Sequence, residues 1–172
     1  SEDYINFIDS EFIVNNSSFN NIYSDGIDSD YSNGNVVNTN FNNTGNDAID
    51  FSGSTADVTN CTFLHCGDKA ISCGELSFID ISNCNITASK FGIVSKDYSE
   101  TKALNINFLG NKFDFGIYQK KDEYGTGKLE DIGSSGKLTV LLGEKADYET
   151  DNESVTTIRV GELINDTHHQ VQ

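Results

Sequence analysis

The stretch AIDFSGSTADVTNCTF (48–63) repeats the pattern of GIDSDYSNGNVVNTNF (26–41) after 22 residues. An isoleucine, a valine, an asparagine and a phenylalanine return at equivalent positions. The same spacing connects four columns: Ile5, Ile27, Ile49, Ile71 and Ile93; Val14, Val36 and Val58; Asn16, Asn38 and Asn60; and Phe19, Phe41 and Phe63. After one inserted residue, three of them continue at Ile81, Asn83 and Ile86. A fixed period of this length predicts units that stack on one another.

Each unit has the pattern of strands. Apolar and polar residues alternate in AIDF (48–51), and no segment of about ten residues has the 3.6-residue period of a helix. Because stacked strands lie about 4.8 Å apart, equivalent residues should form ladders. We predict that the Ile, Val and Phe columns face a narrow core and that the Asn column forms a buried amide ladder. Later in the chain, FGIY (115–118) matches FGIV (91–94) after 24 residues.

The 22-residue coil, its Ile and Phe columns and its Asn ladder resemble the right-handed parallel β-helix of the pectin-lyase-like superfamily. The resemblance covers residues 2–125 and implies an all-β solenoid of about five coils with a short irregular β cap at the C-terminus. Because Ile5 is already in the frame of the repeat, we expect further coils or another domain to precede Ser1 in the native protein.

The period fails after YQKKDEYGTG (118–127). KLTVLLGE (137–144) and SVTTIRVGEL (154–163) have the alternation of strands. A solenoid needs covered ends, since an open coil exposes core and strand edges. We therefore predict β-helix coils over residues 1–125, and a cap or last irregular coil of the same domain over residues 126–172.

The charge of the chain argues against several partners. Its 172 residues carry 27 acids against 11 bases, a net charge of −16. Such a surface repels nucleic acid and anionic membranes, and no stretch reaches the ~18 apolar residues of a membrane span. We expect no nucleic-acid partner and no membrane insertion, and we expect an extracellular or bacterial cell-surface location.

The cysteines are Cys61, Cys66, Cys73 and Cys84, and they form no CxxC pair of a structural zinc site. Cys61 and Cys84 share a column, so their sulfurs could come close enough for a disulfide. Two interpretations remain open. The four are small buried thiols that fill a ladder, or Cys61 and Cys84 are bridged.

Aspartates form columns of their own. Asp25 and Asp47 share one, which then changes to Lys69, and Asp28 and Asp50 share another. Two carboxylates about 5 Å apart repel by about 3 kcal/mol at an effective dielectric of about 20. The four acids therefore either turn into solvent or share a cation. Calcium fits this set, because it prefers carboxylate and carbonyl oxygens; no other cofactor is expected.

A charged and aromatic set lies along one edge of the later coils. Its members are Glu75, Lys96, Asp97, Tyr118, Lys120 and Lys121. On the 24-residue spacing Lys96 aligns with Lys120, which suggests surface ion pairs of small energy. Tyr98 and Tyr124 lie nearby in sequence, and tyrosine rings offer flat apolar area to sugar rings. The second interpretation of this edge is therefore a polysaccharide-binding face.

SDGID (24–28), NDAID (46–50) and CGDKAIS (66–72) resemble, incompletely, the motifs that polygalacturonases carry on successive coils. The resemblance implies inverting hydrolysis by an acid and a pair of carboxylates. The matching residues would be Asp25, Asp47, Asp68 and Lys96. Asn46, however, stands at the position of the general acid, and an amide has no proton to give.

These patterns favour a non-catalytic β-helix scaffold or binding module of a larger secreted or cell-surface protein, with polysaccharide as the candidate ligand. Asp68 replaces the His of the polygalacturonase pattern, and the one arginine, Arg159, lies in the tail. The alternative is a glycan-active enzyme, either a polygalacturonase-like hydrolase or a polysaccharide lyase that uses Lys96 or Lys120. A trimeric phage-type spike would need long apolar outward faces, and the outward positions here are mostly polar.

Overall fold

The computed structural model describes residues 3–161, and over that range the protein is all-β. The strands are β1 (Asp3–Ile8), β2 (Glu11–Asn15), β3 (Ser18–Ile22), β4 (Asp25–Asp30), β5 (Asn33–Val37), β6 (Asn40–Thr44), β7 (Ile49–Ser52), β8 (Thr55–Thr59), β9 (Thr62–Cys66), β10 (Lys69–Gly74), β11 (Phe78–Ser82), β12 (Asn85–Thr87), β13 (Phe91–Lys96), β14 (Glu100–Leu104), β15 (Asn107–Leu109), β16 (Phe113–Tyr118), β17 (Lys128–Ile132), β18 (Leu138–Leu142), β19 (Asp147–Thr150) and β20 (Val155–Arg159). Within this range no helix is long and apolar enough to cross a membrane.

The strands stack as a parallel β-solenoid of about seven turns. The first sheet has the order β1-β4-β7-β10-β13-β16-β18-β20, the second β2-β5-β8-β11-β14-β17-β19 and the third β3-β6-β9-β12-β15. Neighbouring strands of a sheet come from successive coils, because each complete coil gives one strand to each sheet. The predicted β-helix fold and its 22-residue period are confirmed, since Ile27 pairs with Ile49 and Val36 with Val58.

The predicted apolar columns fill the core. Ile27, Ile49 and Ile71 are fully buried on the first sheet. On the third sheet the rings of Phe41 and Phe63 stack with centroids 5.0 Å apart and planes 2° from parallel. Like side chains therefore pack on like side chains along the solenoid, which is the geometry that the repeat predicts.

The 24-residue spacing is wrong. Strands β13 and β16 keep the 22-residue register, with Ile93 opposite Phe115 and Lys96 opposite Tyr118. Phe115 thus continues the isoleucine column, and the likeness of FGIY to FGIV does not reflect structural equivalence. Lys96 therefore has Tyr118, and not Lys120, as its neighbour in the ladder.

The prediction of a buried Asn ladder is also wrong. Asn16, Asn38 and Asn60 are exposed, although the Asn60 amide does reach the Asn38 side-chain oxygen at 3.4 Å. Their φ angles of 49°, 51° and 55° lie in the left-handed region. Asparagine tolerates that region better than most residues, so backbone conformation explains the column.

The chain continues the solenoid beyond the periodic part of its sequence. Strands β17 and β19 extend the second sheet, and β18 and β20 extend the first, whereas the third sheet has no strand after β15 within residues 3–161. The count of about five coils is therefore too low. The predicted strand 137–144 contains β18, and β20 lies within the predicted strand 154–163. Residues 162–172 of the predicted cap lie outside the described residues.

All four cysteines are buried, free thiols. Cys61 and Cys84 are 1% and 0% exposed, and their thiols donate to the backbone oxygens of Thr59 and Ser82 at 3.4 and 3.3 Å. Cys73 stands opposite Phe51 and Cys66 opposite Thr44, as the 22-residue frame predicts. The structure agrees with the interpretation that the four cysteines are small buried thiols within the stacked columns.

The outward side of the first sheet becomes apolar in the later coils, which is a local exception to the mostly polar outward positions that the sequence predicts. Phe91, Val94, Phe113 and Leu141 form a buried cluster separate from the main core. The Phe91 and Phe113 rings stack with centroids 5.0 Å apart, and the Lys112 ammonium lies 5.6 Å from the Phe113 ring centre. The same sheet face therefore has an acidic half and an apolar half.

Candidate functional site

Functional side chains concentrate on the outward side of the first sheet, where equivalent residues of successive coils form columns. In one column the Asp25 carboxylate accepts a hydrogen bond from the Asp47 backbone at 2.8 Å, and Asp47 accepts one from the Lys69 backbone at 2.9 Å. In the next, Asp28 is in register with Asp50. The acidic columns that the sequence predicts are therefore present.

The centre of the first column is a buried ion pair. Lys69 is 7% exposed and Asp47 3%, and the Lys69 ammonium lies 3.3 Å from both carboxylate oxygens of Asp47. Asp68 also accepts hydrogen bonds from Lys69 and from the ammonium of Lys90. The cation that neutralises this column is thus Lys69, a residue of the next coil. The sequence analysis did not include Lys69 among the site residues.

Burial and charge act in opposite directions on this pair. Burial, together with nearby Asp50 and Asp68, raises the pKa of Asp47 to about 6 against the opposing effect of Lys69. Burial by itself would lower the pKa of Lys69, but the carboxylates of Asp47 and Asp68 outweigh it and raise that pKa above its ordinary value. The Lys69 side chain therefore stays protonated and positively charged at neutral pH.

A second buried lysine reaches the column of Asp28 and Asp50 from a position two residues along the sheet, where it is in register with Tyr118. Lys96 is 3% exposed, donates to the Ser72 hydroxyl at 2.7 Å and has its ammonium 3.6 Å from an Asp50 oxygen. The expectation of surface ion pairs is wrong for Lys96 and for Asp97, because both side chains are buried.

The residues that the polygalacturonase pattern selects lie on one face, but they are engaged with each other and with lysines. Asp25 accepts a 2.7 Å hydrogen bond from the Asn46 amide, so the amide acts as a donor that holds this carboxylate. Asp47 and Asp68 are occupied by Lys69, and Lys96 lies in another column. Hydrogen bonds and ion pairs therefore engage these carboxylates, and the amide of Asn46 lies beside Asp25 where the polygalacturonase pattern has its general acid.

The four acids of the calcium prediction lie close together but differ in environment. Asp47 and Asp50 have lysine partners, and Asp28 accepts a 3.1 Å hydrogen bond from the Asn6 amide. Over residues 3–161 no group of three or more His, Cys, Asp or Glu is arranged to hold a metal ion. Calcium binding stays a prediction, and calorimetry with millimolar calcium tests it.

The Asp28 carboxyl should make stability fall as the pH rises. Burial and the nearby carboxylates of Asp30 and Asp50 raise its pKa to about 7, well above the value of about 3.9 in an unfolded chain. Between these values the folded state binds more protons than the unfolded state, so the free energy of unfolding decreases with pH. Asp28→Asn should therefore stabilise the protein at about pH 8 and flatten this dependence.

Urea unfolding at several pH values, with Asp57→Asn as the control at an exposed acid on the second sheet, measures the effect. A pH dependence that is the same in wild type and Asp28→Asn would contradict the assignment.

The aperiodic stretch after the fifth coil is an insertion. Phe78 pairs with Glu100 22 residues on, whereas Glu100 pairs with Lys128 28 residues on. The additional residues form a loop between β16 and β17, which we call the inserted loop (residues 119–127). It begins directly after Tyr118, which is in register with Lys96, so it leaves the first sheet at the column that contains Lys96.

Several contacts fix the inserted loop. One oxygen of the buried Asp97 carboxylate accepts hydrogen bonds from the backbone of Lys120 at 2.7 Å and of Lys121 at 2.9 Å. The Lys121 ammonium pairs with Glu75 of an earlier coil. A Cβ on Gly125 would lie 2.2 Å from the Tyr98 ring, so glycine is required where the loop passes over this ring.

The inserted loop forms one wall of a groove of about 580 Å³. Tyr98, Tyr118 and Tyr124 line it, and the rings of Tyr98 and Tyr124 meet edge to face with centroids 6.3 Å apart. Burial raises the pKa of Tyr118 to about 12, so its hydroxyl keeps its proton and can donate a hydrogen bond. Further polar lining comes from Gln119, Thr126, Glu144 and Lys145.

The residues predicted for a ligand-binding edge have different positions, and ligand binding by them stays a prediction. Tyr118 lines the groove, Glu75 and Asp97 hold the inserted loop, and Lys96 lies beneath the same face. Lys120 and Lys121 belong to the loop itself. The Glu144 and Lys145 side of the groove could not be predicted, because the repeat gives no register there.

Comparisons of this chain with models of protein families, with curated proteins and with solved structures find no match.

Proposed function

We propose that this protein is a non-catalytic β-helix module that binds polysaccharide in the groove beside the inserted loop. The proposal includes membership of the pectin-lyase-like superfamily and a place in a larger secreted or cell-surface protein. The single observation that carries it is the convergence of Tyr98, Tyr118 and Tyr124 on one groove with polar groups at its rim.

The chemistry of the groove suits sugars. A pyranose ring presents an apolar face of C–H groups and an edge of hydroxyls, and aromatic rings with nearby polar groups complement both. Tyr98 is 54% exposed, so part of its ring is free to meet a ligand. Gln119 lies beside the rings, and its amide nitrogen donates to the backbone oxygens of Lys121 and Asp122, so its amide oxygen is the neutral acceptor that it offers to a ligand.

The position of the groove in the repeat also supports binding. Insertions in solenoids commonly form loops on a binding face, while the regular coils act as a rigid support. The Asp97 and Glu75 contacts keep the inserted loop in place, so little loop entropy would be lost on binding.

Tyr124→Ala should weaken glycan binding by about tenfold or more, since loss of a ring in a binding site commonly removes over 1.4 kcal/mol. Calorimetric titration against a panel of neutral and acidic oligosaccharides measures this, with thermal unfolding as a check on folding. Tyr23→Ala is the matched control, because Tyr23 is 98% exposed and outside the groove. Equal affinities of the two variants for a glycan that binds the wild type would refute the assignment.

One observation favours the alternative of a glycan-active enzyme. Asp28, whose pKa is raised to about 7, lies among acids that include Asp25 and Asp50. Glycoside hydrolysis needs a protonated carboxyl near ionised ones. New reducing ends or unsaturated products in the same panel, lost in Asp28→Asn but kept in Tyr124→Ala, would support this alternative.

A further inference from the structure

We propose that the groove selects uncharged glycan chains and rejects polyuronates and other acidic polysaccharides. This inference rests on the proposed glycan binding and specifies its ligand class. A polygalacturonase-like pattern would instead imply a polyuronate substrate. The inference follows from the ion pairs that several lysines of this face already form with carboxylates of the protein.

Two buried lysines of the same sheet face already have anionic partners. Lys69 is buried between Asp47 and Asp68, and Lys96 contacts Ser72 and Asp50. A uronate carboxylate could recruit either lysine only by leaving Asp47 or Asp50 without its cation in a partly dry environment, which is strongly unfavourable.

One lysine of the inserted loop also has an anionic partner. Lys121 forms an ion pair with Glu75, and this contact raises the pKa of Lys121. The pair holds the inserted loop to an earlier coil, so an acidic ligand that captured Lys121 would remove one of the contacts that fix the wall of the groove.

The lining of the groove carries no net charge of its own. Glu144 and Lys145 are adjacent and opposite in sign, and the other polar lining groups, among them Gln119 and Thr126, are neutral. The Tyr118 hydroxyl stays protonated at neutral pH. Neutral donors and acceptors match the hydroxyls of a hexose and provide no counter-charge for a row of carboxylates.

The charge of the rest of the chain adds a long-range effect. Residues 1–68 contain 11 acids and no Lys or Arg, and the whole chain carries −16. Such a field repels an approaching polyanion and leaves a neutral chain unaffected. The repulsion should weaken with salt, because the Debye length falls from about 30 Å at about 0.01 M to about 8 Å at about 0.15 M.

The test is calorimetric titration of the whole chain with neutral gluco-, manno- and galacto-oligosaccharides and with oligogalacturonate of the same length, at both ionic strengths. We expect at least one neutral series to bind with an affinity that salt changes by less than about twofold, and oligogalacturonate to bind about tenfold more weakly or not at all. Tyr124-dependent binding of oligogalacturonate as tight as that of every neutral series would overturn this inference and leave glycan binding intact. No binding by any member of the panel would overturn the proposed function itself.

A charge-changing variant isolates the role of the groove lining. Glu144→Gln should increase the affinity for oligogalacturonate by several fold, since it leaves Lys145 without its adjacent negative charge, and should leave neutral ligands unaffected. Lys145→Gln is the matched control and should decrease that affinity. Unchanged oligogalacturonate affinity in both variants would show that the lining charges do not set the selectivity.

Discussion

Phe63→Ala is expected to lower the free energy of unfolding by about 3–5 kcal/mol. Phe63 is fully buried, and its ring stacks on Phe41 in the preceding coil. On the other side of Phe63, Ile86 of the next coil is in register with it. Removing the ring deletes buried apolar area and leaves a cavity that rigid neighbouring coils cannot close, so both the transfer and the cavity contributions apply.

Equilibrium unfolding in urea, followed by far-ultraviolet circular dichroism, measures this loss. Phe78→Ala is the matched control, because Phe78 is 51% exposed on the outward side of the second sheet. Its loss should be under about 1 kcal/mol. Equal effects of the two substitutions would mean that the phenylalanine column is not the core of the solenoid.

Lys69→Met is expected to destabilise the protein by about 3–5 kcal/mol at about pH 8, because it leaves the Asp47 carboxylate buried without its cation. The loss should shrink at about pH 5. Without Lys69 the pKa of Asp47 rises above its already raised value, and below that pKa the carboxyl is protonated and neutral.

Two further variants make the Lys69 result specific. Lys90→Met removes an exposed partner of Asp68 and should cost under about 1 kcal/mol. The double variant Asp47→Asn with Lys69→Met should recover most of the stability at about pH 8, since no buried charge remains. A loss in Lys69→Met that is independent of pH would contradict the account of the pair.

Much of the fold could be predicted because residues one period apart in the sequence of a solenoid stack on one another. The isoleucine and phenylalanine columns at 22-residue spacing required only that like residues stack, and Ile49 and Phe63 lie where this predicts. The asparagine column failed for a local reason. Periodicity shows that Asn38 and Asn60 are equivalent, but it cannot separate a buried amide ladder from a left-handed turn.

The candidate site was predicted only where it coincides with the repeat. The register placed Asp25, Asp47 and Lys69 in one column, although it did not reveal that Lys69 is buried and paired. The groove depends on the inserted loop and on Lys145, which lie where the period is interrupted or absent. Tertiary packing, which no local pattern encodes, brings those segments together.

The most direct test of the central claim is amide chemical-shift mapping by NMR during titration with the tightest-binding glycan of the panel. The account predicts that the largest shifts occur around the groove, at Tyr98, Tyr124 and Lys145. Shifts centred on the acidic columns, at Asp25 and Asp47, with none in the groove, would contradict it.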